Sequence, residues 1–154
     1  MTIVQKLREL GFDPGSATTA FANYLPYKCV GDQLYVAGQL AVFEGKIQFK
    51  GRLGQSLSLQ ECYQAARLCG INLLLQAVTA CAGDETRLLG CVKLVGFVNS
   101  TASFTEQAKV VNGASDLMVE LLGERGRHAR SAVGVNVLPL HASVEIEGVF
   151  AIRT

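Results

Sequence analysis

The sequence predicts an α+β fold, a mixed β-sheet with two helices packed on one face, and three observations carry that prediction. Capping-box patterns open three helix candidates, at Thr2-x-x-Gln5, Ser58-x-x-Glu61 and Ser103-x-x-Glu106. Runs rich in branched residues and without helical period lie between and after them. The order is helix, two or three strands, helix, strand, helix and two strands. At 154 residues the chain suits a single domain, residues 1–154, with a real core.

Taken in order, Ile3, Val4, Leu7 and Leu10 share one helical face before Gly11 stops the first helix, within residues 1–11. The loop GFDPGSATTA follows. From Tyr27 to Phe49 the pattern is strand-like, LYVAGQLAVF and IQF around the turn EGK. The helix opened by Ser58 runs to Gly83 and is apolar most of the way round, so it must be covered on several sides. RLLGCVKLVGFV, residues 87–98, reads as a mostly buried strand. Val110, Ala114, Leu117, Met118 and Leu121 stripe the last helix up to Gly123. Two final strands, 130–138 and 143–152, flank the turn LPLH.

Composition narrows the partners. Hydrophobic residues make up 49% and charged residues only 18%, below the roughly 25% charged of ordinary soluble domains. The surplus apolar area calls for another subunit or a membrane. The longest uncharged run of the long helix, residues 68–83, is 16 residues interrupted by Asn72 and Gln76, whereas a bilayer span needs about 20. A homo-oligomer is therefore expected, with no membrane partner. A net charge of +1 lacks the phosphate-neutralising excess that nucleic acid demands. Five cysteines without C-x-x-C, and no basic-then-apolar leader, point to a reduced, cytoplasmic protein. Two histidines without ligand spacing to cysteine leave no metal site.

The chemistry concentrates near the carboxyl end. Period-two geometry puts Arg130, Ala132 and Gly134 on one face of the 130–138 strand and Val133, Val135 and Val137 on the other. The valine face is expected to meet the helices. In the last strand Val144, Ile146 and Phe150 join the core, leaving Glu145 and Glu147 outward. If the two strands pair, Arg130 and both carboxylates lie together on the non-helical side. Arginine can fork a ligand carboxylate while a nearby glutamate orients water; a structural ion pair across an oligomer interface is the competing reading. His128 and His141 flank strand ends and read as surface or loop residues. Arg125 and Arg127 read as a solvated loop, and Asn99 as turn chemistry.

ARSAVGVNVLPLHASVEIEGVFAI resembles the end of the RidA (YjgF) reactive-intermediate deaminase family in its Arg-Ser start, Leu-Pro turn and Glu-x-Glu strand. LYVAGQLAV and VVNGASDLMVELLGERGRHAR resemble the family's Gly-Gln strand end and its asparagine-containing helix. The resemblance spans most of residues 20–153, with the N-terminal helix as an addition typical of a longer, less characterised branch. It implies a chorismate-mutase-like homotrimer with bare sheet faces inward and sites at the subunit clefts. It also implies hydrolysis of enamines and imines of amino acids to 2-keto acids and ammonia, without a cofactor or metal. By the same resemblance Arg130 holds the substrate carboxylate and Glu145 positions water, with Tyr24, Gly38 and Asn112 as further substrate-binding positions. Ala37 and Ala132 depart from a serine and a cysteine of the deaminases. A non-catalytic trimer binding small carboxylates is the alternative. The endoribonuclease or translation-inhibitor activity attached to the family's names fits less well, for want of a histidine pair and basic surplus.

Overall fold

The computed structural model describes residues 1–20 and 22–154. Thr2 and Gln5 close the first capping box, and α1 (Ile3–Glu9) buries Ile3 and Leu7. Strands β1 (Tyr27–Val30) and β2 (Gln33–Leu40) form a hairpin turned at Gly31, whose φ of 59° suits a residue without a β-carbon. A short pair, β3 (Val42–Phe43) and β4 (Lys46–Ile47), forms a separate ladder. Ser58 and Glu61 close the second box and open α2 (Leu59–Ala80). Then come β5 (Leu88–Asn99), α3 (Gln107–Leu122), β6 (Ala129–Val135) and β7 (Val144–Ile152).

The five-stranded sheet has the order β1-β2-β7-β5-β6, parallel only between β5 and β6. Both α2 and α3 lie on one face, as expected. The buried set joins α2 and α3 to Leu34, Leu94, Val98, Val144, Ile146 and Phe150 of the sheet. Nearly every residue of α2 from Ala65 to Val78 is buried, which is why its apolar residues run most of the way round. No helix among the described residues is long and apolar enough to cross a membrane.

The polar interruptions of α2 have a structural purpose. Asn72 Nδ2 donates to the carbonyls of Leu40 and Val42, each at 3.0 Å, and Gln76 Nε2 to that of Thr18 at 2.6 Å. These bonds fasten the end of β2, the start of β3 and the loop at Thr18 to the helix. Asn72→Ala strands two carbonyls, so a loss of about 3 kcal/mol is expected from the usual cost of unpaired buried groups. Chemical denaturation checks this. An unchanged midpoint would show that water replaces the amide at no cost.

Three expectations are corrected. Ser103-x-x-Glu106 is no capping box: α3 begins one turn later, Glu106 is its uncapped N-cap residue, and the Glu106 carboxylate pairs with Lys109. The two terminal strands do not pair, because β5 lies between them. The face assignment of β6 is inverted. Arg130 is opposite buried Leu94, and Ala132 packs on the core. Val133 is 45% exposed on the other side. Glycine at 134 admits the first turn of α3: a β-carbon there would lie 2.8 Å from Gln107 Nε2. The reason is position. β6 is an edge strand beside the small-residue flank of α3, so alanine, glycine and the long arm of arginine fit under the helix where valines would not.

Candidate functional site

The expected site residues fall into two groups. Tyr24, Gly38 and Glu145 line one cavity of about 450 Å³, together with Thr18, Thr19, Leu40 and Pro139. Gly38 sits at the irregularity of β2 between Val36 and Gln39, where the ladder with β7 slips register. A β-carbon at 38 would lie 2.9 Å from Glu145 Cδ and closer still to Oε1. The glycine thus provides the space in which the carboxylate lies across the strand. Burial, and then the nearby Glu147, raise the Glu145 carboxyl above its ordinary range. Leu140, which lines the cavity, and His141 after it both adopt left-handed backbone, with φ of 58° and 57°, a strain of about 1 kcal/mol or more for each non-glycine residue.

The second group is built on α3. Arg130 Nη1 donates to Asn112 Oδ1 at 2.8 Å and to Ser115 Oγ at 3.1 Å, and Nη2 donates to the Ala108 carbonyl at 3.3 Å. Residues 108, 112 and 115 recur at helical spacing, so one stripe of α3 receives the guanidinium. All three acceptors are neutral, and none of the ion pairs among the described residues involves Arg130. An arginine held by neutral groups keeps its charge available to an anion.

Arg130 and Glu145 do not meet in one chain. Glu145 is opposite Phe97 and Arg130 opposite Leu94, adjacent-parity positions of β5 whose side chains leave opposite sides of the sheet. Glu145 and Glu147 do share the open face, as expected. Sequence reasoning missed two residues. Ser115 joins Arg130, and His128, half-buried rather than a plain surface group, joins Ser115. The legible signal was His128-x-Arg130, a two-residue spacing at the point where the chain enters β6. Asn99, read as turn chemistry, is a buried junction: its Nδ2 donates to the Gly51 and Ala142 carbonyls and its Oδ1 accepts from Arg52 Nε. The Cys62 and Cys91 thiols, pushed up by burial to about 11 and about 12, are not poised nucleophiles. Among the described residues no three His, Cys, Asp or Glu side chains gather as a metal site would require.

A family model described as YjgF/chorismate mutase-like, covering candidate endoribonucleases, matches residues 5–151. The chain belongs to this YjgF (RidA) family. It is 44% identical over 146 residues to Protein TCP17 of Trypanosoma cruzi, covering 94% of this chain and 91% of that one. It superposes on the crystal structure of Atu1372 from Agrobacterium tumefaciens with a TM-score of 0.89 at 44% identity, over 98% and 92% of the two chains. A candidate endoribonuclease from Shewanella oneidensis gives a TM-score of 0.91 at 34% identity, over 99% and 100%. At the level of fold, Escherichia coli TdcF, solved with bound serine, gives 0.61 at 22% identity, over 90% and 94%.

Proposed function

We propose that the protein hydrolyses enamine or imine intermediates of amino acids to 2-keto acids and ammonia, at clefts between the subunits of a homotrimer. The observation that carries this reading is Arg130, positioned by three neutral acceptors and without a carboxylate partner among the described residues. A bound 2-imino acid supplies that carboxylate. In the trimer the open sheet faces turn inward and Arg130 of one copy faces the Tyr24, Gly38 and Glu145 cavity of the next. The half-exposed Tyr35 and Val133 on that face and the low charged fraction of the chain support such burial. Serine bound to TdcF, itself an α-amino carboxylate, is consistent in class.

In this mechanism Arg130 fixes the carboxylate and so places the imine carbon. Glu145 takes a proton from water as the oxygen attacks the carbon of the protonated imine, and returns it to the nitrogen of the resulting carbinolamine. Ammonia then departs as the carbonyl forms and the hydroxyl proton passes back to Glu145. A raised carboxyl pKa makes Glu145 a better-matched base than an ordinary surface glutamate. Ala37 and Ala132, in place of the deaminases' serine and cysteine, favour a second reading, a trimer that binds small carboxylates without turnover.

The test follows disappearance of enzymatically generated 2-iminobutyrate. Wild type is expected to accelerate it, and Arg130→Ala to lose about a hundredfold in kcat/KM, the value of one or two charge-assisted hydrogen bonds. No acceleration by folded wild type, across several amino-acid imines, would leave the binding reading in its place.

A further inference from the structure

Next to Arg130 lies a hydrogen-bond chain that the hydrolysis as written leaves idle. His128 Nδ1 is 2.6 Å from the Gly126 carbonyl oxygen. A carbonyl only accepts, so Nδ1 carries hydrogen, and in the neutral ring Nε2 is the bare nitrogen. Nε2 is 2.9 Å from Ser115 Oγ, so the serine hydroxyl donates to it. The same oxygen accepts from Arg130 Nη1. The orienting carbonyl belongs to a rigid turn: Gly126 is buried, and a β-carbon there would lie 2.8 Å from Val119 N and closer to the Met118 carbonyl. Base, hydroxyl and guanidinium are thus held in line by groups with little room to move.

We propose that Ser115 and His128 form a proton relay opening onto the anion held by Arg130, with Ser115 the ligand-contacting donor and His128 the group that recharges it. The proposal rests on Arg130 being the anion site and is independent of whether the bound imine turns over. With the ring neutral, the Ser115 hydrogen is spent on Nε2 and the ligand is offered lone pairs alone. With Nε2 protonated, Ser115 Oγ accepts from both His128 and Arg130, and its own hydrogen must turn to a third acceptor, the ligand. For an imine this is an acid step. The Ser115 hydrogen moves to the imine nitrogen, the Nε2 hydrogen moves to Ser115 Oγ, and the ring is left neutral with Nδ1–H still on Gly126. The C=NH group becomes C=NH₂⁺, the form that water attacks.

The charges on the surrounding elements assign the counter-ion. On α3, Asp116 accepts from the Tyr63 hydroxyl and Glu120 pairs with Arg67; in the 123–126 turn Glu124 pairs with Arg127. On the strands the charged groups are Arg130 and, opposite Ala129, Lys93. Every nearby carboxylate is engaged elsewhere, so the anion that offsets an imidazolium beside Arg130 is the ligand's own. Binding therefore draws a proton onto the ring.

Calorimetric titration of the full chain with 2-oxobutyrate, in buffers of different ionisation heat between about pH 5 and 8, measures this uptake directly. Wild type is expected to take up as much as one proton per site. Its affinity should weaken by up to about tenfold per pH unit as pH rises, by linkage. Ser115→Ala and His128→Gln should bind without uptake and without pH dependence, while Ser115→Thr, which keeps the hydroxyl, retains both. Uptake undiminished in His128→Gln, or absent in wild type that binds through Arg130, overturns the relay. Failure of wild type to bind overturns the relay and the anion site together. Linked binding without imine hydrolysis would sink the deaminase reading and leave the relay standing.

Discussion

Glu145→Gln is expected to slow imine hydrolysis by about a thousandfold, within the range that a positioned general base supplies. Glutamine keeps the shape of the side chain but cannot take the proton of the attacking water. The pH profile carries the same information. Glu145 must be ionised to act, and burial raises its carboxyl above 4.5, so the rate should climb as pH rises through that raised value. The linkage to stability has the opposite sense. A carboxyl whose folded pKa is raised costs the fold stability once it ionises, a cost absent below its unfolded pKa and complete above its folded one. Glu145→Gln should therefore melt higher than wild type near neutral pH, the gain vanishing in acid. Gly38→Ala separates placement from chemistry. Its β-carbon collides with the free end of the Glu145 side chain, which can swing away, so activity should fall with little change in melting temperature. A Gly38→Ala variant as active as wild type would remove Glu145 from the catalytic role.

Gly113→Ala is expected to produce a large stability loss for a single added methyl group. Here the obstacle is backbone: the new β-carbon would lie 3.0 Å from Arg67 N and nearer to the Tyr63 carbonyl of α2. Gly70 makes the reciprocal approach: a β-carbon there would lie 3.2 Å from Ala114 Cα. The α2–α3 crossing is thus built on glycine and alanine, and prising it apart disturbs Leu73, Leu117 and Met118 at the centre of the core. A loss of about 3 kcal/mol is expected, which for this size lowers the melting temperature by roughly 10 °C. Calorimetry decides it; a melting temperature within 2–3 °C (about 1 kcal/mol) of wild type would mean that the helices can separate at little cost.

Most of the fold was legible because its signals are local. Thr2 and Ser58 cap their helices with side chains a few residues away, and branched runs announced the strands wherever packing agreed. The third box failed because Ser103 lies in a turn, and Gln107 instead ties the helix start to Phe104 and Ser100. The residues that motif resemblance picked out gather in two places, Asn112 beside Arg130 and Tyr24, Gly38 and Glu145 around one cavity. Which face Arg130 takes was not legible. Alternation fixes which residues share a face, whereas the choice of face depends on the neighbour, and a valine-rich side ordinarily marks the core. His128 was hidden for a related reason: its partner lies 13 residues away on another element.

The position of β7 bears on biosynthesis. It is the last strand of the sheet to be translated and the one inserted at its centre, between β2 and β5. On a growing chain those two strands therefore carry unpaired inner edges until Val144–Ile152 emerges, a state open to capture by other nascent chains. Any ribosomal pause that comes before Val144–Ile152 has left the ribosome would prolong that exposure.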